Sequence, residues 1–121
     1  MDIHAALIAH VKAQNEKRTK WVGDLFGVKE MYATERCPAD EKRLTNAGVK
    51  SPLNGGELSV YMAAMIIAKA QDAGGKPIFM MARDLPVMEL VADETIAEIY
   101  LELFKDQGPE TSEQFEERVK N

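Results

Sequence analysis

Apolar and polar positions along this chain alternate mostly with the helical period. The pattern predicts a mainly α fold, a single compact domain over residues 1–121 with about six short-to-medium helices. From Asp2 to about Lys17, residues Ile3, Leu7, Ile8 and Val11 fall along one side of a helix. Asp2 is placed to cap it, and Lys17 and Arg18 stand near its end. The run "WVGDLFGVKEMY" is different. Its aromatic and β-branched residues, punctuated by Gly23 and Gly27, read as a small β-hairpin around residues 20–32, although the alternation is imperfect. "CPADEKRLTNAG" then reads as a short, mostly exposed helix, with Pro38 in its first turn, Asp40 and Glu41 early, Lys42 and Arg43 later, and Gly48 at its end. "VKSPLNGG" reads as a loop.

From Glu57 to Asp72, Leu58, Tyr61, Met62, Met65, Ile66 and Lys69 recur at helical spacing, and Val60 and Ile67 widen the apolar face. A helix apolar on most sides belongs at the centre. Gly74 and Gly75 are expected to end it and Pro77 to prevent its resuming, which leaves "PIFMM" as a short extended run buried on at least one side. Asp84 is expected to cap a short helix, "DLPVMELV", with Pro86 inside the first turn where a missing N–H costs nothing. Asp93 is expected to cap the next, in which Ile96, Ile99, Tyr100, Leu103 and Phe104 follow the amphipathic pattern without a break until Gly108-Pro109. Thr111, with Gln114 three residues on, spells a capping box ahead of a final short helix.

Composition narrows the choice of partner. A length of 121 residues suits one modest core, and 45% hydrophobic with 29% charged residues is the balance of a chain that folds. The net charge of −5 divides unevenly: residues 1–83 carry 12 Lys+Arg against 9 Asp+Glu, and residues 84–121 carry 3 against 11. An acidic end repels phosphate and the remainder has no dense basic stripe, which disfavours nucleic acid. Another protein, or self-association with a second copy, suits the charge better. Cys37 is the only cysteine, so no intramolecular disulfide forms, as befits a reducing cytoplasm. The N-terminus lacks the basic start, the long apolar stretch and the cleavage site of a signal peptide, and no apolar run approaches the roughly 20 residues that cross a bilayer. No membrane partner is expected.

The sequence offers little that reads as chemistry. His4 and His10, six apart on the first helix, do not share a face as paired metal ligands would. Cys37 has no histidine base near it in sequence and reads as an inert thiol. "GGKP" lacks the spacing and the hydroxyl of a phosphate-binding loop. The carboxylate pairs Asp40/Glu41, Asp93/Glu94 and Glu116/Glu117 lie where helix starts and solvated faces place acids. No catalytic, cofactor-binding or metal residue is assigned, and the chain is expected to be non-enzymatic. Methionine remains: of seven, Met80, Met81 and Met88 crowd the middle segment beside Phe79, where flexible side chains fill a core or adapt to a partner. Phe79, Met80, Met81 and Met88 are therefore the candidate partner-binding residues.

"DAGGKPIF", followed by "RDLPVMELVADETIAEIYLELF" and the terminal "SEQFEERVKN", resembles the second half of the tail assembly chaperones of long-tailed, non-contractile bacteriophages. "VKAQNEKRTKWV" is similar to the start of that family, where a helix runs into a basic segment ahead of a hairpin. Met80-Met81 departs from it, standing where the family pattern has a hydroxyl or acidic residue. The resemblance implies an assembly factor without cofactor. It would bind the tape-measure protein and help recruit tail-tube subunits in the cytoplasm of the infected bacterium, stay out of the mature virion, and in many members be extended by a ribosomal frameshift. The alternative that explains composition equally well is a small helical adaptor or regulatory protein-interaction module unrelated to tails.

Overall fold

The computed structural model describes residues 2–105. In chain order it contains α1 (Ile3–Glu16), β1 (Arg18–Leu25), β2 (Val28–Thr34), α2 (Pro38–Asn46), a 3₁₀ turn at Pro52–Asn54, α3 (Leu58–Lys69), α4 (Met81–Met88) and α5 (Asp93–Leu103). Five α-helices and one antiparallel hairpin thus account for the expected mainly α architecture. The sixth expected helix, after Thr111, lies outside the described residues, as does the stop at Gly108-Pro109.

The hairpin pairs Arg18 with Thr34 through Val22 with Glu30, then slips register before Leu25 meets Val28. That slip is the physical reason for the imperfect alternation, because an extra residue in one strand shifts which side chains face inward. Trp21, Leu25, Met31 and Ala33 turn toward the core. Between Leu25 and Val28 the chain reverses in two residues, Phe26 and Gly27, with φ of 55° and 81°. This is the mirror-image turn whose twist matches paired strands, and it calls for a positive φ at both positions. Glycine adopts that conformation freely, but an aromatic residue does so under strain.

Helix α3 sits at the centre, packed against α2, α4, α5 and β2, as a helix apolar on most sides should. Its Ala64, Met65 and Ile66 are fully buried, and Met31, Leu44, Ile96, Ile99, Leu103 and Phe104 close around them. Each large apolar side chain so buried contributes about 1.5–3 kcal/mol, so this cluster dominates the stability of the fold. Ile96, Ile99, Tyr100 and Leu103 of α5, and Phe104 at its C-cap, are buried as expected.

Three local expectations are corrected. First, α3 stops at Lys69, before the glycines. Ala70 turns extended, and the Gln71 N–H donates to the Tyr32 carbonyl at 2.8 Å while the Tyr32 N–H donates back at 2.9 Å. Pairing with the hairpin ends the helix. Gly75, at φ 86°, instead turns a small loop in which Asp72 N–H donates to the Lys76 carbonyl and Ile78 N–H to that of Ala70. Arg18 fixes this loop from below, donating to Gln71 Oε1, the Asp72 carbonyl and the Ala73 carbonyl at 2.9–3.1 Å while its guanidinium lies over the Tyr32 ring.

Second, α4 begins at Met81, three residues before Asp84. Asp84 lies one turn inside and reaches back, its Oδ2 accepting the Met80 N–H at 2.7 Å. Pro86 consequently stands within the helix, past its first turn. Of "PIFMM", Pro77 to Met80 are non-helical and Met81 is helical. Likewise Ala92, and not Asp93, caps α5. Third, "SPLN" is not a plain loop but one 3₁₀ turn, with Ser51 Oγ accepting the Leu53 N–H at 3.2 Å.

Candidate functional site

The hairpin tip and the start of α4 approach each other across a surface groove of about 330 Å³. Phe26 and Val28 form one wall. Ile78, Phe79, Val87 and Met88 form the floor and the other wall, and Arg83 and Asp84 stand at the rim. The lining is mostly apolar, with the charged Arg83 and Asp84 among it, and a few polar groups in an apolar groove are the usual composition of a recognition site.

Local chemistry sets this geometry. The Asp84 carboxylate accepts from Arg83 Nε at 2.9 Å, Arg83 Nη2 at 2.8 Å and the Met80 N–H. Arg83, and then the Met80 N–H, hold the Asp84 carboxyl below the ordinary carboxylate range, and Asp84 in turn raises the Arg83 guanidinium. The ring of bonds anchors the first turn of α4. On the opposite wall, the left-handed turn carries Phe26 outward, and its side chain remains 64% exposed.

The four candidate residues fare differently. Phe79 and Met88 line this groove, with Met88 buried at its floor and Phe79 half-buried. Met81 is turned inward and packs on the core. Met80 is 59% exposed beside the groove without lining it. Sequence reading missed Phe26 and Val87, both largely exposed at the mouth. A positive φ at a phenylalanine leaves no signature in sequence beyond the glycine that follows it.

The acids call for a correction too. Asp40 and Glu41 stand in the first turn of α2 as expected, but only Glu41 is exposed to solvent. Asp40 is 4% exposed, and its Oδ2 lies 3.1 Å from the Lys69 ammonium, which also donates to Thr34 Oγ1 at 2.7 Å and the Glu35 carbonyl at 3.1 Å. The same carboxylate accepts from the Cys37 N–H at 2.9 Å and the Cys37 thiol at 3.3 Å, so Asp40 folds back on the N-cap residue of α2. Glu41 accepts a hydrogen bond from the Tyr61 hydroxyl. Burial, and secondly the neighbouring Glu41 carboxylate, push the Tyr61 phenol far up. This cluster ties α2, α3 and β2 together through partners it already holds.

A second, wider hollow lies beside the N-termini of α3 and α5, bordered by Glu57, Asp93 and Glu94, where acids complement helix dipoles. Among the described residues no group of three or more His, Cys, Asp or Glu side chains converges as a metal site would require. None of the helices among them is long and apolar enough to cross a membrane. No protein-family profile matches the chain, and no curated protein or solved structure is significantly similar to it.

Proposed function

We propose that this protein is a non-enzymatic tail assembly chaperone, of the kind its sequence resembles, that receives an amphipathic helix of the tape-measure protein in the groove between Phe26 and Phe79. The observation that carries this reading is the groove itself. It is an apolar trough open to solvent, walled by an aromatic residue held in a strained backbone, and strain of that kind collects at sites of recognition. A helix presenting large apolar side chains one turn apart matches such a trough. The acidic C-terminal third, which carries −8, would keep the loaded complex soluble. The chaperone would act in the cytoplasm of the infected bacterium, hand its cargo to the polymerising tail tube and be left out of the virion.

Co-expression with the large helical protein encoded nearest downstream tests the reading. Co-elution by size exclusion, with a partner insoluble when made alone and with binding lost in Val87→Asp, is the expected result. A partner that is soluble and elutes separately overturns it and favours the generic helical adaptor.

A further inference from the structure

The groove between the hairpin tip and α4 is lined by one base, Arg83, and one acid, Asp84, and the two are unequally satisfied. The Asp84 side chain is 22% exposed, and its two oxygens already accept from Arg83 Nε, Arg83 Nη2 and the Met80 N–H. The Arg83 side chain is 63% exposed. A guanidinium carries five N–H groups in a planar fork, and Asp84 takes only the edge formed by Nε and Nη2. The end-on edge, Nη1 with the second N–H of Nη2, meets no other group among the described residues. What the pair shows at the groove is therefore positive. We propose that this edge receives a carboxylate of the cargo, so that the helix bound in the groove carries Asp or Glu one turn from its apolar anchor. This rests on the reading of the groove as a helix site, and it names the chemistry of that helix.

The spacing on α4 sets the pattern. Arg83 precedes Val87 by four residues, which leaves the two about 40° apart round the helix and ~6 Å apart along it. Apolar wall and charge thus share one side of α4, a turn apart. A cargo helix lying along α4 that sets an apolar side chain against Val87 brings a residue three or four positions away to Arg83.

Three arguments make that residue an acid. Asp84 already holds the guanidinium in one plane, so little freedom is lost when a second carboxylate docks end-on. An apolar residue there would strip water from the remaining N–H groups and replace it with nothing. A basic one would meet like charge. Lys29, the base beside the hairpin turn, is closed on Asp24 at 2.9 Å and does not line the groove, so the selection falls to Arg83.

Overlapping helical segments of the large protein encoded nearest downstream give the test, as a double-mutant cycle on each segment that the wild type retains and Val87→Asp loses. Replacing the acid three or four residues from the apolar anchor by Gln is expected to weaken binding roughly fivefold, and Arg83→Gln to weaken it as much. The two changes together should cost no more than either alone. Added salt should weaken the wild-type complex and leave that of Arg83→Gln nearly unmoved. Arg83→Lys, which keeps the charge without the fork, is expected to fall between them. A segment lost in Val87→Asp yet held by Arg83→Gln with wild-type affinity and salt dependence would overturn the inference and leave the helix groove standing, as would strictly additive losses in the cycle. If the wild type retains no segment, the helix groove itself fails and the inference with it.

Discussion

The ammonium of Lys69 lies 3.1 Å from the carboxylate of Asp40, with both side chains less than a tenth exposed. Lys69 ends the central helix and Asp40 stands in the first turn of α2, so one ion pair joins two elements through residues 29 positions apart in sequence. Removing the cation leaves a buried charge with fewer donors, which is costlier than never burying it. Lys69→Met is therefore expected to destabilise the fold by about 3–5 kcal/mol. Adding Asp40→Asn should recover part of the loss, because the neutral amide no longer needs the cation. Urea unfolding of both variants checks the order, and equal stability of the two would show that the charge on Asp40 is not what costs.

Alkaline stability should depend on Tyr61. Its folded-state phenol is raised above the ordinary value of 10.0, first by burial and then by Glu41. The stabilisation is fully present below pH 10.0, and it falls as pH rises further because the unfolded chain gives up the phenolic proton while the folded chain keeps it. Tyr61→Phe is expected to flatten this decline at a cost of about 1 kcal/mol near neutrality from the lost hydrogen bond. Denaturation midpoints on either side of pH 10.0 would show it.

Acid should act on the rim of the groove through Asp84. Arg83 and the Met80 N–H lower its folded-state pKa beneath the ordinary 3.8, so its stabilisation is present above that value and is lost as pH falls through the lower one. Asp84→Asn is expected to remove this contribution and to loosen the first turn of α4. Amide exchange at Met80, protected in the wild type by the bond to Asp84 and faster in the variant, is the measurement that follows it.

Phe26 is the position where stability and binding should separate. A left-handed backbone costs a non-glycine residue about 1–2 kcal/mol, and asparagine is among the residues that tolerate it best in this turn. Because the ring is 64% exposed, removing it forfeits little packing. Phe26→Asn is expected to raise stability by about 1 kcal/mol, seen as a higher urea midpoint at unchanged slope, and to weaken capture of the proposed cargo helix. A less stable variant would mean that the ring holds the hairpin against α4.

Legibility followed the range of the interactions involved. Periodicity was enough for α1, α3 and α5, because an apolar face repeats within each segment and needs no knowledge of what it meets. The bases near the tip of the first helix, the aromatic hairpin and the proline at the start of α2 were local signals of the same kind. The end of α3 was not local. Gly74 and Gly75 are the obvious stop in sequence, yet the helix yields earlier because Gln71 gains two backbone hydrogen bonds to Tyr32, a residue 39 positions away. The start of α4 was misplaced because a carboxylate reads as a cap from either side of the first turn, and only the bond from Met80 to Asp84 says which.

The candidate site divided in the same way. Phe79 and Met88 could be singled out by residue type, but whether a methionine turns toward the core, as Met81 does, or toward water, as Met80 does, depends on where α4 begins. Phe26 and Val87 joined the groove through packing of the hairpin tip against α4, elements with no pattern in common. The sequence by itself determined the helical character, the hairpin, the central place of α3 and the want of any familiar catalytic motif, since these rest on period and composition. The tertiary structure alone decided that Asp40 and Lys69 are buried together, that the stripe of α1 stays open to solvent and that a groove exists at all. Burial and juxtaposition are properties of surfaces that meet, and one strand of sequence carries only its own side of each.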